Sequence, residues 1–222
     1  TAKNGIMYGI NRHNASLIIF DRFSLPNYNS VTIATSGAGK SFVTKLEILR
    51  SLMFDTDVIV IDPEHEYEYL ADAVGGRFFN ISLSSEHHIN PFDLPPVRED
   101  ENPSDVLRSN TIALVGLFRL MLGGLTPEED SIVDRAVTET YALKDITPGA
   151  DFSTALPPLL TDFEMVLAGM EGSDSVLQRL RKFTRGTWST FINQPTNVDI
   201  NKKLVVFSIR DMEEELKPIA MY

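Results

Sequence analysis

Residues 30–45 read SVTIATSGAGKSFVTK, and no other stretch limits the fold as much. A β-rich run (Val31, Thr32, Ile33, Ala34) feeds a loop of small residues, then Lys40 and Ser41. A helical pattern follows, with Phe42, Leu46, Leu49 and Met53 at three- and four-residue spacing. Strand, small-residue loop and helix in that order form the phosphate-binding pattern G-x-x-x-x-G-K-[ST], with Ala34 at the first glycine position. Small residues let backbone N–H groups approach clustered anionic oxygens, and the helix start adds its positive end. The pattern therefore points to a nucleoside triphosphate. Its contacts are expected from Thr35, Ser36, Gly37, Ala38, Gly39, Lys40, Ser41 and Phe42. Lys40 supplies a point charge for the β- and γ-phosphates, and Ser41 a hydroxyl for Mg²⁺. Ala34 closes the strand, where a methyl group is tolerated if φ stays negative.

Composition removes several other chemistries. The 222 residues contain no cysteine, which excludes disulfides, thiolate zinc sites and iron–sulfur clusters and suits a reducing compartment. His13, His65, His87 and His88 lack zinc-ligand spacing. A net charge of −11 makes a poor general surface for nucleic acid, although a local basic channel remains compatible with it. No signal peptide opens the chain. The longest apolar run, 111–122, is interrupted by Arg119 and is shorter than the roughly 20 residues a membrane-spanning helix needs. The expectation is a soluble protein, and a chain that stops inside a helical pattern reads as part of a longer polypeptide.

The order of patterns predicts an α/β fold. Strands are expected at 16–21, 31–34, 57–62 (DVIVID) and 77–82, with a short helix at 66–74 closed by Gly75-Gly76. β-α-β-α-β implies a mainly parallel sheet with right-handed crossovers. Prolines 91, 95 and 96 then mark a change to helices. Asn102-Pro103 opens one that runs to Gly123-Gly124. Thr126-Pro127-Glu128-Glu129 is a capping box opening a second, Thr161-Asp162-Phe163-Glu164 a capping box opening a third, and 173–183 a fourth. Residues 203–211 return to strand. The expected organisation is a nucleotide-binding core over 1–96, an all-helical insert over 97–185 with 111–122 as its buried central helix, and a return to the core over 186–222.

Hydrolysis of a phosphoanhydride needs an acid that orders Mg²⁺ and a group that orients water. Four apolar residues ending in Asp62-Pro63-Glu64 have the look of such a strand end. Asp62 would order metal-bound water and Glu64 polarise the attacking water. Equally, Asp62 could cap the strand while Glu64 lies in a solvated acidic turn, and the residues alone leave both readings open. Asp211 is a second strand-end acid, read as a cap. Of the clustered Arg179, Arg181 and Arg185, the last is named as the candidate to reach a neighbouring subunit's phosphates, against the plainer reading of a basic exposed helix face.

Taken together, YGINRHNASLIIFDRF, LPNYN, ATSGAGKS, VIVIDPEHEYEYL, INPFD and RGTWSTFINQPTNVDINKKLVVFSIRDM resemble, in matching order, the conjugative and type IV secretion assembly ATPases (the VirB/TraC/TrbE-like group). The resemblance implies a C-terminal motor domain with a RecA-like P-loop fold of the HerA/FtsK branch. It implies ATP and Mg²⁺ as cofactors and ADP as product. It implies self-association, often as hexamers, and other secretion-system components as partners at the cytoplasmic face of a bacterial inner membrane. Turnover would drive pilus assembly or transfer of substrates, including DNA–protein complexes, though the charge does not indicate DNA binding by this chain. The family's own strand ending Asp-Glu lies further downstream, which demotes Asp62 and Glu64 to a neighbouring strand and implies reduced or lost hydrolysis in this stretch alone. Three other readings stay open: a DNA-pumping hexameric translocase, a small-molecule kinase, and a nucleotide-gated interaction module.

Overall fold

The computed structural model describes residues 5–98 and 100–222. The chain forms two compact units, one of Thr1–Phe79 with Asp199–Arg210, the other of Asn80–Val198 with Asp211–Tyr222. These boundaries differ from the expected 96/97 and 185/186. The loops on either side of the helices pack with the helices, so the unit built on them reaches from residue 80 to residue 198.

In the first unit an antiparallel hairpin pairs β1 (Ile6–Ile10) with β2 (Leu17–Phe20). Asp21 caps the short 3₁₀ turn Arg22–Ser24 that follows. Three side chains tie this hairpin to α1 (Lys40–Leu52). The Tyr8 hydroxyl donates to Glu47 at 2.8 Å, Arg22 ion-pairs with the same carboxylate, and Arg50 donates to the Met7 carbonyl. Burial and the Glu47 carboxylate push the Tyr8 hydroxyl above its ordinary pKa, so it stays a donor.

β3 (Val58–Asp62), α2 (Glu68–Ala73), β4 (Arg77–Asn80) and β5 (Leu204–Ser208) follow. The sheet order is β3-β5-β4, so β5 enters between two strands that precede it in sequence. β3 and β5 run parallel, in register from Val58 opposite Leu204 to Asp62 opposite Ser208. One face of the sheet is closed by Ile48 of α1 and Ala71 of α2 against Leu204 and Val206, with Val58 and Val60 packed alongside. The alternation along β3 turns Ile59 and Ile61 to the other face, where both are exposed.

The expected strand at 31–34 is not part of this sheet. Residues 30–34 make no backbone hydrogen bond with any described residue, and Val31 and Ile33 are 85% and 89% exposed. The β-branched composition suits a strand, but a ladder also needs a partner strand, and no described residue pairs with this segment.

The second unit is helical: α3 (Pro103–Met121), α4 (Pro127–Ala142), α5 (Leu160–Ala168), α6 (Asp174–Thr184), α7 (Ser189–Ile192) and α8 (Lys217–Met221). Asn102 caps α3 through the Ser104 N–H, and Thr126 and Glu129 form the reciprocal box of α4. The second expected capping box is corrected. α5 starts two residues earlier than predicted, and the Asp162 carboxylate accepts the Leu159 N–H at 2.8 Å, which leaves Thr161 inside the helix. The core is aromatic. Phe118 and Phe163 stack with ring centroids 4.3 Å apart, and Phe92 packs against both and against Tyr141. The Tyr141 hydroxyl donates to the Phe92 carbonyl, and burial drives its pKa strongly upward. The stretch 111–122 buries Leu114, Val115, Phe118 and Met121 but exposes Ile112 and Leu120, so α3 lies at the side of the bundle rather than at its centre.

Candidate functional site

Between the end of β2 and the end of β3, the first unit contains an open cleft of about 1620 Å³. Its walls carry Thr35, Ser36, Gly37, Gly39, Lys40, Ser41 and Phe42 together with Asp62, Glu64, Glu66 and Tyr67. The two sequence motifs therefore meet in one space. The loop is built for anions. Gly37 and Gly39 sit at φ +76° and +89°, a region that side chains disfavour. The only backbone bond bracing the turn runs from the Ala38 N–H to the Thr35 carbonyl at 3.2 Å, and the Gly37, Gly39, Lys40 and Ser41 N–H groups have no partner among the described residues. Four unpaired amides at the start of a 13-residue helix form a site of concentrated positive potential. The Lys40 ammonium adds a full charge and makes no ion pair with any described residue. Ala34 has negative φ, so the missing first glycine costs no strain.

The acidic turn is more fully committed. Asp62 is completely buried, and each carboxylate oxygen accepts a backbone N–H: Oδ1 from Glu64 at 3.1 Å and Oδ2 from Tyr67 at 3.0 Å. His65, at φ +59°, locks the same turn from outside. Its Nδ1 lies 3.1 Å from Ser208 Oγ at the end of β5, and its Nε2 lies 2.9 Å from Glu68 at the start of α2. Asp62 therefore caps this turn while its carboxylate also borders the cleft, with one backbone N–H on each oxygen and further acceptor capacity on both. Glu64 makes no side-chain bond to any described residue and lines the cleft.

Glu66 and Tyr67, expected at the start of the helix over 66–74, also line the cleft. Burial raises the Tyr67 pKa, and the Lys45 ammonium sits 5.2 Å above its ring. Only the turn geometry identifies this pair, because Asp62 has to fold the chain back before they face the loop.

No three carboxylate or histidine side chains cluster as a metal centre among the described residues. The donors present are the unbonded Ser41 hydroxyl and the Glu64 carboxylate. They fit Mg²⁺, which takes one or two protein ligands and completes its shell with phosphate oxygens and water.

Arg185 belongs to the other unit. Its Nε and Nη2 bond the two carboxylate oxygens of Glu164 at 3.2 and 2.9 Å, and Arg181 approaches the same carboxylate at 3.8 Å. The Glu164 side chain is 5% exposed and that of Arg185 is 72% exposed. Arg179 is occupied elsewhere, donating to the Leu122 and Gly124 carbonyls and to Glu129. Asp211 accepts a bond from Asn80 at 2.8 Å.

The TraG P-loop domain family matches residues 16–220. The chain belongs to that family. No curated protein sequence matches. Among solved structures, the structure of VirB4 of Thermoanaerobacter pseudethanolicus superimposes with a TM-score of 0.82 at 26% identity. The match covers all of this chain and 61% of that one. The expected likeness to the conjugative and type IV secretion ATPases is borne out, and so is the RecA-like P-loop fold. Among the described residues no helix is long and apolar enough to cross a membrane.

Proposed function

We propose that this chain is an ATP-binding and ATP-hydrolysing motor domain of a type IV secretion or conjugation machine, acting at the cytoplasmic face of a bacterial inner membrane. The observation that carries this reading is one cleft lined by a lysine, four amides and a glutamate that have no partner among the described residues. The amides of Gly37, Gly39, Lys40 and Ser41 hold the β- and γ-phosphate oxygens, and Lys40 neutralises charge that builds on them as the terminal bond breaks. Glu64 accepts a hydrogen bond from the attacking water and orients it in line. Mg²⁺, when bound through Ser41 and the phosphates, supplies further charge neutralisation. Arg185 acts on the nucleotide of a neighbouring subunit. The products are ADP and phosphate, and the energy drives pilus assembly or substrate transfer.

Titration of a fluorescent ATP analogue with the wild-type and Lys40→Ala proteins tests the reading. Saturable binding in the wild type and its loss in the variant support it, and equal binding by both refutes it.

A further inference from the structure

Pro63, Glu64, Glu66 and Tyr67 line the cleft, and His65 in their midst does not. His65 is the left-handed residue of the turn, at φ +59°, a backbone region that side chains enter only at a cost. Its ring turns to the sheet instead. Nε2 lies 2.9 Å from the Glu68 carboxylate, which in its ionised form only accepts, so Nε2 carries the proton of the neutral ring. Nδ1 is then the acceptor, and the Ser208 hydroxyl donates to it at 3.1 Å. The ring also meets Phe78 of β4 edge-on, with centroids 4.9 Å apart. Ser208 is completely buried at the end of β5, opposite Asp62 in the ladder. A buried hydroxyl is costly unless bonded, and His65 bonds this one. The Asp62 carboxylate already closes the turn through the Glu64 and Tyr67 N–H groups. The bond between His65 and Ser208 adds a second anchor, to a neighbouring strand, at the residue next to Glu64.

We propose that His65 is a positioning residue for Glu64. The inference deepens the nucleotide reading and rests on it. His65 stays out of the cleft and acts through the backbone. With the Glu64 N–H held by Asp62 and the adjacent side chain held by Ser208, the Glu64 carboxylate keeps one setting relative to the phosphate loop. Orienting a water in line is sensitive to such a setting, since a misplacement of about 1 Å can cost about a hundredfold in rate. Binding of the triphosphate depends on the loop amides and Lys40, so it is independent of this anchor.

Turnover and ATP affinity of the full-length protein are compared for wild type, His65→Gly, His65→Asn, Glu64→Gln and the His65→Gly/Glu64→Gln double variant. Glycine and asparagine both enter the left-handed region readily, so backbone strain is not the variable. Asparagine still offers Ser208 an amide, whereas glycine offers nothing. His65→Gly should lower kcat by about tenfold or more at unchanged ATP affinity, and His65→Asn should return it to within about threefold of wild type. In the Glu64→Gln background the glycine should change the rate by less than about twofold, because the group it positions is already gone. An unaltered kcat in His65→Gly overturns the proposal. So does a loss of equal size in both backgrounds, or a loss of ATP affinity in step with kcat, since either describes a merely structural role. If Glu64→Gln slows turnover and His65→Gly does not, the positioning role alone fails; the nucleotide reading fails separately, through Lys40→Ala binding ATP as the wild type does. Amide hydrogen exchange gives a measurement that needs no turnover. The Glu64 and Tyr67 amides should exchange at least about tenfold faster in His65→Gly and close to the wild-type rate in His65→Asn. Unchanged exchange in His65→Gly also overturns the proposal.

Discussion

At the scale of single residues, the cleft separates two acids that are two positions apart. Both oxygens of Asp62 hold backbone N–H groups of its own turn. Hydrogen bonds to a charged acceptor are each worth about 1.5–3 kcal/mol, and the amides left behind would be unsatisfied. Asp62→Ala is therefore expected to lower stability by about 3 kcal/mol in urea unfolding. Glu64→Gln is expected to leave the unfolding free energy within about 0.5 kcal/mol of wild type, since that side chain bonds no described residue. It should keep ATP affinity while lowering turnover by about a hundredfold or more, the usual range for a lost general base. A steady-state assay beside a binding titration separates the outcomes, and an unaltered rate would return Glu64 to the role of a surface acid. Lys40→Ala should show the reverse pattern, with affinity lost first.

At the scale of elements, the α4 capping box allows a prediction with a sign. The Glu129 carboxylate accepts the Thr126 N–H at 3.0 Å and ion-pairs with Arg179 at 2.6 Å, and these bonds hold its pKa below the ordinary glutamate value. A depressed folded-state pKa gives stability that is present above the unfolded pKa and is lost as pH falls through the folded one. Glu129→Gln should therefore cost about 1 kcal/mol at pH 7, in line with caps generally. The gap between variant and wild type should close below about pH 4, which thermal melts across pH would record. This helix start was readable in the sequence because Thr126, Pro127 and Glu129 are neighbours. The α5 start was not, because Asp162 reaches back to Leu159, which has no capping side chain of its own to announce the position. The strand at 31–34 has the right composition and still forms no ladder, since pairing depends on what lies beside it. β1 was missed because its IMYGI segment holds Gly9, which weakens a strand pattern. In the site, the phosphate loop could be read from local spacing, whereas the commitment of Asp62 and the pairing of Arg185 with Glu164, 21 residues away, are visible only in three dimensions.

At the scale of the whole molecule, the question is what the helical unit contributes to chemistry housed in the other one. Arg185 is presented rigidly. The chain turns immediately after it, and a Cβ on Gly186 would meet the Lys182 carbonyl at 2.8 Å, so no other residue fits without displacing the backbone. Trp188 is clamped between the Lys182 ammonium, 3.1 Å from its ring, and Phe183. A buried carboxylate held by an exposed guanidinium is a poor source of stability, because desolvating Glu164 offsets much of the attraction. It does fix one edge of the guanidinium and leaves the other facing solvent. That arrangement suits an arginine offered to an anion on another molecule. If the anion is a neighbour's triphosphate, Arg185→Ala should reduce turnover by a factor of about 10³ or more while leaving ATP affinity unchanged. Lys40→Ala subunits would be inactive for the opposite reason: they lack the pocket but keep the arginine. Mixing the two inactive variants should then restore activity, because a mixed assembly contains interfaces with an intact pocket on one side and an intact arginine on the other. Specific activity of the wild type should also rise with protein concentration. Mixtures that remain inactive, with a wild-type rate per subunit that is flat across dilution, would leave Arg185 with Glu164 as its only partner and confine catalysis to residues of the first unit.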